Sequence, residues 1–214
     1  MKHIHLNHCE STQDLLVKEY QNKRTHPILI STNSQSKGKG RGTNKWIHHG
    51  QSLAMSCTLE PNEILTLTPL EISVILAQFL KKHQINIELK WPNDLFYQQK
   101  KVGGILLNNV DSKKLIVGIG LNLGFKNETH HSIPLQTDQR TLSKEIYDFL
   151  REKRLNAKKT RELWNSLCIH RNQIVTLKDN GEVKGIFKGL GENGQALIEI
   201  ENKISHFYTG SLFI

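Results

Sequence analysis

A chain of 214 residues with 37% hydrophobic residues is long enough for one medium α/β domain and a small appendage around a buried core. No apolar run approaches the ~20 residues a membrane span needs, and the opening Met1-Lys2-His3-Ile4-His5-Leu6-Asn7-His8 is too polar for a secretory signal. The net charge of +9, from 29 basic against 20 acidic residues, favours anionic partners such as phosphates, nucleic acid or an acidic protein.

Ser11, Thr12 and Asp14 form a capping pattern before Leu15, Leu16 and Tyr20, so Glu10 to Tyr20 reads as a first helix. His26 to Ile30 reads as a short strand entering a polar, glycine-rich loop over Ser31 to Asn44. Leu53 to Leu59 reads as a strand. Pro69 then opens an amphipathic helix with Leu70, Val74, Ala77, Phe79 and Leu80 on its apolar face, ending near Lys82.

Ile87 to Lys90 is a strand that delivers Trp91-Pro92-Asn93-Asp94, where Pro92 excludes helix. Asn93-Asp94 reads as a turn into Leu95-Phe96-Tyr97, and Gln98 to Lys100 as a second turn into Lys101-Val102-Gly103-Gly104-Ile105-Leu106-Leu107. Adjacent glycines weaken a strand, and close approach of a ligand to the backbone is one reason to keep them. Leu115 to Gly124 is another glycine-punctuated strand, Phe125 to Gln139 a loop, and Leu142 to Lys153 and Ala157 to Leu167 two helices. After about His170 come short strands at Ile174–Leu177, Val183–Phe187, Ala196–Ile200 and Ile204–Tyr208, spaced by polar turns as in a small antiparallel barrel.

Cys9, Cys57 and Cys168 are odd in number and form no Cys-x-x-Cys pair, which fits reduced thiols in a cytoplasmic protein. His3, His5 and His8 alternate, and His48-His49 and His130-His131 are adjacent pairs, but none has carboxylate or cysteine partners at ligand spacing. These histidines are therefore read as solvated or polar-lined. In Gln35-Ser36-Lys37-Gly38-Lys39-Gly40-Arg41, the glycines let backbone N–H groups converge on an anion that Lys37, Lys39 and Arg41 neutralise. The loop lacks the Gly-Lys-Ser/Thr ending of a nucleotidase phosphate loop. A flexible basic surface loop, or a single-strand nucleic-acid contact with Trp46 as platform, remain alternatives at this point.

Four segments in order resemble the biotin–protein ligases: Gln35…Gly38-Lys39-Gly40-Arg41…Trp46, Lys90-Trp91-Pro92-Asn93-Asp94, Lys101-Val102-Gly103-Gly104-Ile105-Leu106 and Gly118-Ile119-Gly120-Leu121-Asn122. Ser11-Thr12 resembles the family's pair before its first helix, and the tail from about His170 to Ile214 its small C-terminal barrel. The resemblance implies an α+β fold, with a mixed-sheet catalytic domain over residues 1–169 and an SH3-like β-barrel over 170–214. It also implies an ATP-dependent ligase that makes biotinyl-5'-adenylate, releases pyrophosphate and transfers biotin to a lysine of a biotin carboxyl carrier protein. ATP and Mg²⁺ are the implied cofactors, and a homodimer is compatible with the family.

By resemblance, Lys101 and Arg41 carry the catalytic charge, which has a chemical reason: an anionic carboxylate must approach an anionic α-phosphate. Ser11, Thr12 and Gln35 are expected on the ureido ring, with Lys39 and the Gly38, Gly40 and Gly103 backbone closing around biotin and Lys101 at its carboxylate. Gly104 is expected to serve close packing. Arg41, Trp46, Asn93, Asp94, Lys101 and Asn122 are expected at ATP and the adenylate, Asp94 holding Mg²⁺ or orienting Lys101, and Asn93 alternatively a turn residue. Gln13 stands where the family usually has Asn, which weakens it as a contact, and Phe125 is the one suspected lid residue. With the pattern starting at Ser11, too little chain precedes it for the winged-helix domain some members carry, so DNA binding is not expected. A lipoate–protein ligase is the nearest enzymatic alternative, and a basic nucleic-acid-binding module the alternative of another class.

Overall fold

The computed structural model describes residues 2–22, 28–47, 50–110, 113–124, 131–179 and 181–213. In chain order the elements begin with β1 (Lys2–Leu6), α1 (Thr12–Gln21), β2 (Ile28–Thr32), β3 (Gly38–Lys39), β4 (Lys45–Trp46), β5 (Ser52–Leu59) and α2 (Thr68–Lys82). There follow β6 (Glu88–Lys90), β7 (Asp94–Tyr97), β8 (Lys100–Asn109), β9 (Leu115–Asn122), α3 (Gln139–Glu152) and α4 (Ala157–Leu167). The chain closes with β10 (Ile174–Lys178), β11 (Glu182–Leu190), β12 (Ala196–Ile200), β13 (Lys203–Phe207) and β14 (Ser211–Phe213).

A seven-stranded sheet has the order β1-β2-β5-β9-β8-β7-β6, with β1 parallel to β2 and the other pairs antiparallel. The two-residue period of a strand splits its side chains between two faces. Ile28, Ile30 and Ile116 meet Leu16 of α1 on one face. Leu29, Val117, Ile119 and Leu121 join the larger core on the other, where α2, α3 and α4 contribute Leu76, Leu80, Ile146, Leu150 and Trp164. Ser11 caps α1 by accepting from the Asp14 N–H at 3.3 Å, as its sequence pattern predicts. The second sheet, β13-β12-β11-β10-β14, is antiparallel throughout.

Three short elements escape the sequence reading. The polar N-terminus is an edge strand, β1, in which His3 Nε2 and His5 Nδ1 both lie 2.9 Å from Ser31 Oγ. Its histidines are polar-lined, as expected. The glycine-rich loop contains the two-residue hairpin β3–β4, and Ser211–Phe213 pairs with β10. β1 has only two apolar residues, Ile4 and Leu6, and the other pieces are two or three residues long, so all are fixed by their partners.

Where the second sheet meets the first, Ile169 N–H donates to the Leu89 carbonyl at 3.1 Å, and Trp91 Nε1–H to the Gly194 carbonyl at 3.0 Å. His170 is buried at this junction, edge-on to Phe187 with ring centres 4.7 Å apart, and neither ring nitrogen has a partner among the described residues. Burial, aided by the nearby Lys90 charge, pushes its imidazole down to about 4 from 6.5. The unfolded chain therefore takes up this proton first, and stability falls as pH drops from about 6.5 to about 4, by ~3 kcal/mol in all. Urea unfolding at pH 7 and at pH 4.5 should show this loss in the native chain. His170→Leu should remove the His170 share of the pH dependence, and an undiminished slope would assign the effect elsewhere.

Candidate functional site

The register of the large sheet lays small residues in a row. Ala54 of β5 pairs with Gly120 of β9, Gly120 with Gly104 of β8, Gly104 with Asp94 of β7, and Asp94 with Lys90 of β6. A neighbouring row carries Ser56, Gly118 and Leu106. Both rows lie on the α1 face and form the floor of a cavity of about 420 Å³, with Ser11, Thr12, Gln13, Gln35, Lys39, Gly40, Arg41, Trp46 and Lys101 among its walls. The floor needs glycine. A Cβ on Gly120 would stand 2.6 Å from the Trp46 ring, and one on Gly118 would stand 2.6 Å from Gln13 Oε1.

One end of the cavity is neutral and hydrogen-bonding. The Gln35 Oε1 accepts from the Thr12 N–H at 2.8 Å, and the Thr12 hydroxyl lies 3.1 Å from Gln35 Oε1 and 2.9 Å from Ser56 Oγ. Ser56 donates to Gln13 Oε1 at 2.9 Å, and Gln13 Nε2 to the Ile116 carbonyl at 3.2 Å. The network fills the Gln35 oxygen and one of the two acceptor sites of the Gln13 oxygen, and among the described residues it leaves the Gln35 amide nitrogen and the Ser11 hydroxyl proton for other acceptors. Gln13 is almost fully buried and lines the cavity, so its departure from the usual Asn does not remove it from the wall.

The other end is cationic. Lys101 Nζ lies 2.6 Å from Asp94 Oδ1. A β-bulge in the β7–β8 pairing puts Leu95 opposite Gly103 but Phe96 opposite Lys101, with Val102 left over. That extra residue turns Lys101 onto the Asp94 face, whereas unbroken alternation from Gly103 would point it into the core. The hairpin closes through Gln98 and Gln99 at φ 49° and 62°, the twist-matched two-residue turn. Asn93 holds it from inside: its side-chain amide donates to the Ile105 carbonyl at 2.7 Å, and its carbonyl accepts from the Ile105 N–H at 3.0 Å.

Lys90, not singled out from the sequence, also lines the cavity, with its ammonium 5.4 Å from the Phe96 ring centre and 5.2 Å from that of Phe213. Burial lowers its pKa, Asp94 opposes that effect and Lys101 adds to it. Its place at the head of the Trp91-Pro92-Asn93-Asp94 motif was the available sequence signal, but only register sets it at the end of the small-residue row.

Several expectations change. Gly103 faces inward, where a Cβ would meet the Gly120 carbonyl at 2.7 Å and the Leu95 and Leu121 side chains at 3.0 Å, while Gly104 lines the cavity. The two glycines thus exchange the roles expected of them. Gly38 packs under the Trp46 backbone and is not a lining residue, and the Gly40 N–H donates to the Asn44 carbonyl at 2.9 Å rather than pointing at an anion. Lys37 and Lys39 pair with Glu10 and Asp14 at 2.7 and 2.6 Å, and Arg41 donates to Ser211 Oγ at 2.7 Å and to the Gly210 carbonyl. Exposed pairs such as these hold a side chain by only ~0–1 kcal/mol. Asn122 lies beyond the cavity wall, with Nδ2 donating to the His131 carbonyl at 3.0 Å and Oδ1 accepting from Ser52 at 3.3 Å. Phe125 lies outside the described residues.

The model of the biotin/lipoate A/B protein ligase family matches residues 7–125, and that of the biotin protein ligase C-terminal domain matches residues 170–214. The bifunctional ligase/repressor BirA of Escherichia coli is 26% identical over 95% of this chain and 71% of its own length. Biotin–protein ligase 1 of Arabidopsis thaliana is 31% identical over 55% of this chain, and the match spans only 34% of that protein. The biotin protein ligase of Aquifex aeolicus, solved with biotin and ATP, superposes with TM-score 0.80 at 28% identity, covering 99% of this chain and 97% of that one. With more than half of the chain inside the matched model, and its motifs forming one cavity, the chain belongs to the biotin/lipoate A/B protein ligase family.

Proposed function

We propose that the cavity binds biotin and ATP, forms biotinyl-5'-adenylate with release of pyrophosphate, and transfers the biotinyl group to a lysine of a biotin carboxyl carrier protein. One observation carries this reading: a neutral amide–hydroxyl cluster and a group of cations sit at opposite ends of one glycine-floored cavity. A ureido ring is a neutral group with two N–H donors and one strong acceptor, which the Ser11, Thr12, Gln13, Gln35 and Ser56 end suits. A carboxylate on a flexible chain then reaches the Lys101 end. There one carboxylate oxygen bonds the α-phosphorus as the bond to the β-phosphate oxygen breaks, and pyrophosphate leaves. In the second half, the acceptor amine bonds the acyl carbon, gives up a proton and expels AMP. Adenine would lie toward Trp46, which lines the cavity. Lys101, Lys90 and Arg41 neutralise charge that grows between carboxylate and phosphate.

Among the described lining residues Asp94 is the only carboxylate, and it already pairs with Lys101. Among the described residues there is also no cluster of three or more metal-ligating side chains. This donor set fits a Mg²⁺ held mainly by phosphate oxygens and water, with Asp94 as its one protein ligand, where the ion would add charge compensation. Asp94 by itself orients Lys101.

Biotin-dependent pyrophosphate release, followed by label transfer to a carrier domain, tests the proposal. Stabilisation against heating by lipoate plus ATP, with none by biotin plus ATP, would reverse the choice of acid. Glu10 and Asp14 beside Lys37 and Lys39 offset part of the positive charge on which the nucleic-acid alternative relies. Arg41→Gly is expected to speed adenylate dissociation by about tenfold to a hundredfold, the scale of one or two charged hydrogen bonds. An unchanged rate of adenylate loss after gel filtration would keep Arg41 on Ser211 throughout the cycle.

A further inference from the structure

We propose that β14, the last strand of the small sheet, is the positioning element for the cations Arg41 and Lys90 of the large one. The proposal rests on the acyl-adenylate reading of the cavity and adds to it the part played by the second sheet. Alternation along Ser211-Leu212-Phe213 sends the first and third side chains to one face and Leu212 to the other. Leu212 is fully buried in the small sheet's core. Ser211 Oγ and the preceding Gly210 carbonyl receive the Arg41 guanidinium, and the Phe213 ring stands 5.2 Å from Lys90 Nζ.

Phe213 contributes little as core, since 46% of its surface is exposed. Its ring face collects ammonium groups instead: Lys90 from the cavity wall and Lys178, 5.6 Å away, from the paired strand β10. Phe96 supplies a second ring to Lys90, 5.4 Å from it. The ammonium therefore sits against two electron-rich faces, which attract a cation without neutralising it as a carboxylate would. A long lysine side chain confined in this way loses less freedom when a phosphate arrives, and that lowers the cost of binding. Arg41 is presented at the cavity mouth by a hydroxyl and a carbonyl, both weaker partners than a phosphate, so it is placed without being captured. Ser211 and Phe213 thus act through Arg41 and Lys90 and need not touch substrate themselves.

The test compares Ser211→Ala, Phe213→Leu and Phe213→Tyr in the full chain. Calorimetric ATP affinity should fall about three- to tenfold in the Leu variant and to a similar extent in the Ala variant, while the Tyr variant, which keeps the ring, matches the native chain. KM for ATP should rise and kcat for pyrophosphate release fall, with KM for biotin unchanged. Reductive methylation read by mass spectrometry should modify Lys90 faster in Phe213→Leu but not in Phe213→Tyr, with Lys101 as internal reference. Equal losses of biotin and ATP affinity, or Leu and Tyr variants behaving alike in ATP binding and Lys90 labelling, would overturn the proposal. A native chain that binds ATP without biotin-dependent pyrophosphate release would refute the ligase reading, while ATP affinity and Lys90 labelling would still decide the role of β14.

Discussion

Replacing Lys101 by alanine should lower biotin-dependent pyrophosphate release by ~10²–10³, equivalent to ~3–4 kcal/mol of transition-state stabilisation. The fold should survive, because 52% of the Lys101 side chain is exposed and its one ion pair among the described residues is with Asp94 at 2.6 Å. Pairs that open to solvent contribute ~0–1 kcal/mol. On the proposed acyl-adenylate reading, the removed charge is therefore missed at the phosphate and hardly at all in the core. Lys90, paired across the strands with Asp94, remains beside that carboxylate in the variant. The measurement is a single-turnover rate beside a thermal midpoint. Near-native pyrophosphate release would move the catalytic charge to Lys90 and Arg41, and a collapsed midpoint would make Lys101 structural.

The second large effect concerns stability. Glu71 of α2 is completely buried and accepts four groups: Arg154 Nε and Nη2 at 2.7 and 2.8 Å, the Leu155 N–H at 2.8 Å and Asn62 Nδ2 at 3.0 Å. Burial by itself would push this carboxyl up, and the hydrogen bonds from Arg154, Leu155 and Asn62 reverse that and hold it below its ordinary value. Arg154→Ala should cost ~3–5 kcal/mol, because it strands a buried charge rather than merely deleting a contact. Arg154→Lys should fall between the two, keeping the charge but losing the two-pronged fit. Adding Glu71→Gln to Arg154→Ala should recover part of the loss, since the stranded charge is gone. Urea midpoints of the four chains decide this, and a loss of less than ~1 kcal/mol in Arg154→Ala would mean that water reaches Glu71. The consequence extends to the site. The α2 start packs around Gly194, whose carbonyl holds Trp91 at the head of the Pro92-Asn93-Asp94 turn.

Long periodic segments were legible in the sequence. The helix over Ala157–Leu167 and the strand over Ala196–Ile200 have the bounds read from the sequence, and α2 begins one residue before Pro69. The motifs were legible as a set, because their residue types fit one chemistry. Their individual roles were less so. Lys37, Lys39 and Arg41 look alike on paper, yet the structure gives the first two to Glu10 and Asp14 and the third to β14. A partner 170 residues away leaves no trace in local spacing.

What the sequence by itself determined is the inventory: cations, amides and hydroxyls in an order that resembles a biotin–protein ligase, and glycines at intervals of two in Gly118-Ile119-Gly120. What only the tertiary structure decided is which face each residue occupies. Cross-strand register aligned Gly120 with Gly104 to make the cavity floor, turned Gly103 inward, and through one bulged residue brought Lys101 onto the face of Asp94. The physical reason is the two-residue period of a strand. A shift of a single residue exchanges core for cavity, and such a shift is set by pairing across strands rather than by any property of the residues along one.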